Sequence, residues 1–414
     1  MIIPSIDLQG GRAVQLRQGR ELLLTDERDP VALAAELGRY GPVAIVDLDA
    51  ALDRGDNREI VRACCQVARC RVGGGIRTHD DVRDHIRHGA AKVVIGTKAD
   101  PSFLEGLPRE WIVVALDARG DEVLTHGWTK GSGLSVLEQA RSLAPFCSEF
   151  LFTQVEREGM LEGCDLETAM RLRNAVDRPI IVAGGIRSVE EVARLEGLGF
   201  HSQLGRAIYE GRIDLAEAWI ACVSFDDRGL VPTIVQDADS GAVLMLAYGN
   251  AESLGLALRR GEGWYWSRSR ERLWKKGETS GHTQRLIGAR FDCDRDAVLF
   301  RVRREGPACH RGTDSCFGDA PGPVLASLER VIDDRSGSAG SASYTRSLLE
   351  DAEKLAAKLR EETEEVVEAT ENDHVAWECA DLLYHLMVRM RAADVSLGRV
   401  ESELRSRFRG VDTA

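Results

Sequence analysis

The chain has 414 residues, 43% hydrophobic and 29% charged, with a formal net charge of −13. That length predicts two or three domains at about 150 residues each, and the acidic balance excludes a general nucleic-acid binder, which gains affinity by neutralising phosphates with Lys and Arg. The ten cysteines lack the spacing of a small secreted scaffold, so most read as reduced packing residues. The opening Met1-Ile2-Ile3-Pro4 starts neither a leader nor a membrane span, so a cytoplasmic setting without membrane contact is expected.

Residues 1–222 alternate short apolar runs with amphipathic helical patterns. Ile2–Ile6, Val43–Val46, Arg71–Val72, Val93–Ile95, Trp111–Leu116, Phe150–Phe152, Ile180–Ala183 and Gln203–Leu204 are the predicted strands. Apolar strands separated by helices imply a parallel sheet, and eight such units fit an α/β fold, the (β/α)8 TIM barrel. An internal repeat supports this reading. Ile6-Asp7-Leu8-Gln9-Gly10 returns as Leu116-Asp117-Ala118-Arg119-Gly120, and Gly74-Gly75-Ile76-Arg77 returns at the same offset as Gly184-Gly185-Ile186-Arg187. Gly96-Thr97 finds its counterpart in Gly205-Arg206, one residue short of that offset. The barrel therefore reads as two duplicated half-barrels.

The repeat places the chemistry. Asp7 and Asp117 are each expected to end a strand on the C-terminal, active-site face, opposite one another. One carboxyl would take a proton and the other give one, if their surroundings separate their pKa values. Gly74, Gly75, Gly96, Gly184, Gly185 and Gly205 would let backbone amides approach phosphate oxygens. Two repeat-related glycine sites suggest a ligand with a phosphate at each end. Alone, each feature also fits a simple turn.

These motifs, with Gly127-Trp128 and Gly205-Arg206-Ala207-Ile208-Tyr209-Glu210-Gly211, resemble the phosphoribosylformimino-AICAR-ribotide isomerase family of histidine biosynthesis. The resemblance implies an Amadori rearrangement of an aminoaldose to an aminoketose. It makes Asp7 the general base and Asp117 the general acid, with Thr153 in the active site and Trp128, Thr97 and Arg206 among the substrate contacts. Gln154 and Gln15 depart from that family, which usually has Asp and a basic residue there. A cyclase-type barrel and a dual isomerase accepting phosphoribosylanthranilate are the alternatives.

Composition shifts at Asp226-Asp227-Arg228-Gly229, opening a middle domain over 223–325. Val231–Tyr248 reads as two strands joined at Asp239-Ser240-Gly241. Trp264-Tyr265-Trp266 leads into a basic run containing Arg268 and Lys276, which suits one nucleotide better than a nucleic-acid strand in so acidic a chain. Then come Asp292-Cys293-Asp294-Arg295-Asp296, Cys309-His310 and Cys316. An extended chain throws Asp292, Asp294 and Asp296 to one face and Cys293 to the other. Thiolates favour zinc and carboxylates favour magnesium. Three sulfur ligands leave a coordination position open, as in catalytic zinc sites.

With Val243–Tyr248, Trp266-Ser267-Arg268-Ser269-Arg270, Gly306-Pro307-Ala308-Cys309-His310 and Ser315-Cys316-Phe317, this domain is similar to phosphoribosyl-AMP cyclohydrolases. The resemblance implies Zn2+ on Cys293, Cys309 and Cys316, acidifying a water that opens the adenine ring. It also implies Mg2+ at Asp292, Asp294 and Asp296, with His310 as proton carrier. Zinc ligands come from two subunits in that family, so a homodimer through this domain and the tail is implied.

Residues 326–343, rich in Ser, Gly and Asp toward their end, read as a flexible linker. The tail, 344–414, contains two helical patterns, Glu350–Thr370 and His374–Ala393. Glu362 and Glu365 share one helix face, and Glu378 and Asp381 share another. Antiparallel packing would converge four carboxylates on a cation, Mg2+ by its oxygen ligands. Ser343-Tyr344-Thr345, the Lys358–Val367 run and Glu378–Leu386 resemble the all-α, MazG-like phosphoribosyl-ATP pyrophosphatases. Together the resemblances imply a trifunctional enzyme acting on small phosphoribosyl nucleotides. The rival class is a scaffold with decayed sites, which intact acids and ligands argue against.

Overall fold

The computed structural model describes residues 1–17, 21–318, 324–337 and 343–408, without the side chains of 402 and 405–408. Eight parallel strands close on themselves: Ile2–Gln9, Val43–Asp47, Cys70–Gly73, Lys92–Ile95, Ile112–Arg119, Glu149–Gln154, Ile180–Ala183 and His201–Leu204. Each pairs with its neighbour in that order, and the eighth pairs back to the first. Inward-facing Ile3, Ala44, Val113, Leu151, Ile181 and Ala183 pack against one another and fill the interior. It is a packed core rather than a pore.

The duplication is legible in the architecture. The first and fifth strands outrun the barrel and fold back as antiparallel hairpins, Arg12–Arg17 with Glu21–Asp26 and Glu122–Thr125 with Lys130–Ser135. Asp7 and Asp117 therefore sit two residues inside their strands rather than at the ends. Ladder bonds to the hairpins extend the strands past the barrel rim. The caps repeat too: the Thr78 hydroxyl oxygen accepts the Asp81 amide, and the Ser188 hydroxyl oxygen accepts the Glu191 amide, each starting the helix behind a Gly-Gly turn.

The middle domain is a six-stranded sheet in the order Arg272–Lys275, Trp264–Ser267, Val243–Gly249, Val231–Asp237, Val298–Arg304, Gln284–Phe291. It docks on the N-terminal end of the barrel. Trp219 of the last barrel helix, 1% exposed, meets Phe291 with ring centroids 5.4 Å apart. The Arg39 carbonyl accepts the Ala289 amide at 2.9 Å, and the Arg39 guanidinium donates to the Leu258 and Arg259 carbonyls. One hydrophobic core runs through both domains.

The expected linker is a correction. Residues Val324–Gly337 form a helix, with Ile332 only 1% exposed against Leu348, Leu355 and Val388. Leu325, Leu328 and Ile332 fall on one helical face packed against the helical core, and burying that stripe outweighs the turn-rich composition that follows. Residues 338–342 of the expected linker lie outside the described residues. Helices Tyr344–Leu349, Ala352–Glu368, Asn372–Ala392 and Leu397–Phe408 complete a helical domain. Among the described residues no helix is long and apolar enough to cross a membrane.

Candidate functional site

At the barrel mouth, Thr153 stands in register with Asp117 on the adjoining strand, and the side chains of Thr153 and Trp128 hydrogen-bond the Asp117 carboxylate. Trp128 reaches it from a tight turn in which His126, Gly127 and Trp128 all have positive φ, 54°, 61° and 67°. Such a conformation is costly for His and Trp. The Thr97 hydroxyl oxygen helps hold the turn by accepting the His126 amide at 2.9 Å. Burial raises Asp117 above the ordinary carboxylate range, and its two donors oppose the rise. Asp7 has one side-chain donor, Ser5, and burial lifts it to about 6.

A third carboxylate, unnoticed in the sequence, joins them. Burial first, then the charges of Asp7 and Asp117, push Glu158 up to about 7. The loop after the sixth strand carries it. Glycines close the rim: a Cβ on Gly74 would lie 2.2 Å from the Asp47 carbonyl oxygen, and one on Gly185 would lie 2.5 Å from that of Gly163. Both have positive φ, 68–99° across Gly74 and Gly75 and 83–85° across Gly184 and Gly185, so no other residue fits. Gly96 has more room, with the nearest atom to an added Cβ 3.7 Å away, on Ala115. Gln15 is buried, with its side-chain oxygen 3.0 Å from the position of a Gly205 Cβ. Arg206 is engaged by Glu210 and the Gly159 carbonyl.

In the middle domain, Asp292, Asp294 and Asp296 place carboxylate oxygens within 4.8 Å of one another. They do so from a bent hairpin loop, not the expected extended strand; Arg295 has φ 68°. The loop is tied to the segment that leaves the barrel, because the Ser224 amide donates to the Arg295 carbonyl at 2.9 Å and the Ser224 hydroxyl to that of Asp294 at 3.2 Å. Mutual repulsion, chiefly from Asp294, raises Asp296.

Cys309 and Cys316 touch each other. The Arg311 amide and the Thr313 hydroxyl hold Cys309 below its ordinary value, while burial raises Cys316. The Cys316 amide donates to the Leu244 carbonyl at 2.8 Å, fixing the loop to strand Val243–Gly249. Lys276 lies close enough to feel both thiols. His310 places Nδ1 4.0 Å from the Cys309 sulfur, and Arg268 stacks 3.8 Å over the Tyr248 ring. Cys293 is not with the other two thiols: it is exposed beside Asp294, and no described cluster joins it to Cys309 and Cys316. One chain thus offers two of the three sulfurs at one point.

In the helical domain, Glu362, Glu365 and Glu378 converge within 4.8 Å, and Asp381 stays outside that group. Glu362 and Glu378 are buried. His385 Nδ1 stands 3.6 Å from Glu362, and His374 Nε2 stands 2.9 Å from Glu378. Burial, then the charges of Glu378 and Glu362, raise Glu365. Three carboxylates so placed fit a hard divalent cation.

A barrel with buried carboxylates gathered at its mouth, fused to a thiol–carboxylate domain and a carboxylate-bearing helical domain, defines a multidomain metabolic enzyme. Residues 1–214 match the histidine biosynthesis protein family, 245–318 the phosphoribosyl-AMP cyclohydrolase family, and 325–408 the phosphoribosyl-ATP pyrophosphohydrolase family. The bifunctional histidine biosynthesis protein HisIE of Bacillus subtilis is 45% identical over 201 residues, covering 45% of this chain and 96% of that relative. Those of Halalkalibacterium halodurans and Synechocystis are 42% identical over 203 residues and 44% over 199, covering 96% and 93% of those relatives and 45% of this chain in each case. The chain belongs to the histidine biosynthesis family, as a trifunctional enzyme with isomerase, cyclohydrolase and pyrophosphohydrolase domains in that order. Nothing in these comparisons supports a scaffold with decayed sites.

Proposed function

We propose that the three domains act in the reverse of their chain order on one phosphoribosyl nucleotide. The helical domain releases pyrophosphate from phosphoribosyl-ATP, the middle domain opens the adenine ring of phosphoribosyl-AMP, and the barrel isomerises the resulting aminoaldose. The observation that carries the reading is the Asp7–Asp117–Glu158 group at the barrel mouth, whose members are raised to different extents.

In the barrel, a carboxyl protonates the ring oxygen of the aminoaldose and the ring opens to an iminium. Asp7, still mostly ionised at neutrality, removes the proton from C2. The enolamine then tautomerises to the aminoketose. The family resemblance gives the acid role to Asp117. The electrostatics favour Glu158 instead, since the Trp128 and Thr153 donors oppose the rise of Asp117, whereas burial and both neighbouring charges all raise Glu158. The glycine turns after the third, fourth, seventh and eighth strands receive the two phosphates.

In the middle domain, Cys309 and Cys316 would hold zinc with Cys293 from a second copy, which the exposed position of Cys293 supports. Bound there, zinc supplies a Lewis acid that acidifies water near neutrality. Asp292, Asp294 and Asp296 would hold magnesium, Lys276 and Arg268 the nucleotide, and His310 a proton. In the helical domain Glu362, Glu365 and Glu378 would hold magnesium, with Asp381, one turn further along the same helix as Glu378, the remaining candidate ligand. Exposed Val367, Trp377, Leu383 and Leu386 support a homodimer through this domain. The domain limits that fit are 1–222, 223–318 and 324–408.

Incubation with phosphoribosyl-ATP and magnesium tests the whole reading. Pyrophosphate, ring-opened product and ketose should form in that order. Ring opening without prior pyrophosphate release, or no ketose, would overturn it.

A further inference from the structure

Docking of the middle domain on the barrel leaves a cavity of about 820 Å3 between them. It lies at the N-terminal end of the barrel, opposite the mouth. Loops preceding the barrel strands form one wall, and strands Gln284–Phe291 and Val298–Arg304 form the other. Seven arginines line it, against a single carboxylate, Glu36. In a chain with net charge −13, that is a local inversion of sign.

Of Arg39, Arg285, Arg290, Arg301 and Arg303, one is paired with a carboxylate among the described residues. Arg303 meets Asp239 at 2.9 Å, and Arg39 is taken by backbone carbonyls. Arg301 reaches the Ala238 carbonyl at 3.0 Å. Arg285 and Arg290 form no ion pair among the described residues. Glu36 itself lies 3.5 Å from Arg28. Burial and the neighbouring Arg290 and Arg303 all disfavour the charge on Arg301, with Asp239 opposing. Like charges gathered this way repel, and an anion brought among them relieves the repulsion. Guanidinium forks match phosphate oxygens two at a time. The volume is within the roughly 300–1,000 Å3 usual for small-molecule sites.

We infer that this interdomain cavity binds a small anion carrying a chain of two or more phosphates, such as a nucleoside triphosphate or a free polyphosphate. It is a fourth site. The Cys309–Cys316 pair is tied to Val243–Gly249, three strands away from the cavity edge in the sheet order, and the barrel mouth is at the other end. The inference does not depend on the activities assigned above.

The test is calorimetric titration of the full chain, with chelator present, using ATP, sodium tripolyphosphate and adenosine as probes. ATP and tripolyphosphate should bind and adenosine should not. If the two bind equally, the phosphate chain is the whole determinant; if ATP is tighter, the nucleoside contributes. In Arg285→Gln/Arg290→Gln the Kd should rise at least tenfold, with all three activities within twofold of the parent. Ala35→Glu, which sets a carboxylate on the cavity wall from an exposed helical position, should weaken binding similarly without removing an arginine. Unchanged affinity in both variants overturns the inference. So does a loss of affinity accompanied by loss of one activity, which would place the probe in that active site.

Discussion

Trp219 and Phe291, 72 positions apart in the sequence, meet in a tilted pair with ring centroids 5.4 Å apart and join the barrel to the middle domain. Trp219 is fully enclosed, and truncating such a side chain typically costs about 3–5 kcal/mol. Trp219→Ala should therefore lower the unfolding temperature of barrel and middle domain together. A calorimetric scan checks this. Two separated transitions already present in the parent chain would contradict the shared core.

Asp7→Asn should abolish isomerisation, by at least a thousandfold in kcat/KM, while pyrophosphate release and ring opening persist. It should also stabilise the fold. With its folded pKa raised to about 6 from 3.8, Asp7 keeps its proton longer in the folded chain than in the unfolded one. Stability from this group is thus present at low pH and lost as pH rises through about 6. At pH 8 the variant should gain about 1–3 kcal/mol by denaturant titration, and the gain should vanish near pH 4.

Glu158 predicts the shape of the isomerase pH profile. Asp7 must be ionised, above about 6, and Glu158 protonated, below about 7. The kcat/KM profile should be a narrow bell between those values. Glu158→Gln should lower the rate at least tenfold and remove the alkaline limb. If that limb survives in Glu158→Gln and disappears in Asp117→Asn, the acid is Asp117.

The separation of Cys293 from Cys309 and Cys316 predicts complementation between chains. Cys293→Ser and Cys309→Ser should each lose ring opening, and Cys309→Ser should lose about one zinc per chain by metal analysis. Mixed in equal amounts after reversible dissociation, the two should recover about a quarter of parental activity, since half the dimers then hold one intact site. No recovery, with heterodimers demonstrated, would mean that each chain completes its own site.

Glu362→Gln should remove pyrophosphate release and spare the other two reactions. Because Glu362 crowds Glu365 and Glu378, the variant should tolerate magnesium removal better than the parent does. Thermal scans with and without chelator measure this.

How much of this was legible depended on periodicity. Asp7 and Asp117, the glycine pairs and the closed barrel announced themselves through duplication. Glu158 did not, because the matching stretch of the first half, after strand Val43–Asp47, carries Ala51 where a repeat would need an acid. The convergence of the three aspartates was visible, but a bent loop rather than an extended chain achieves it. The helix Val324–Gly337 was hidden because its final Ser-Gly resembles a spacer, although Leu325, Leu328 and Ile332 supply an apolar stripe packed on the helical core. Interdomain docking rests on single residues such as Arg39 and Trp219. No pattern in one sequence marks them, since what they touch lies far along the chain.

The orientation of the barrel has a consequence for metabolite traffic. The ring-opening domain sits on the barrel's floor, and the aldose enters from the roof. Ile3, Val113, Leu151 and Ile181 plug the axis between them. Within one chain, a molecule released by the ring-opening domain therefore has no passage along the barrel axis to the mouth.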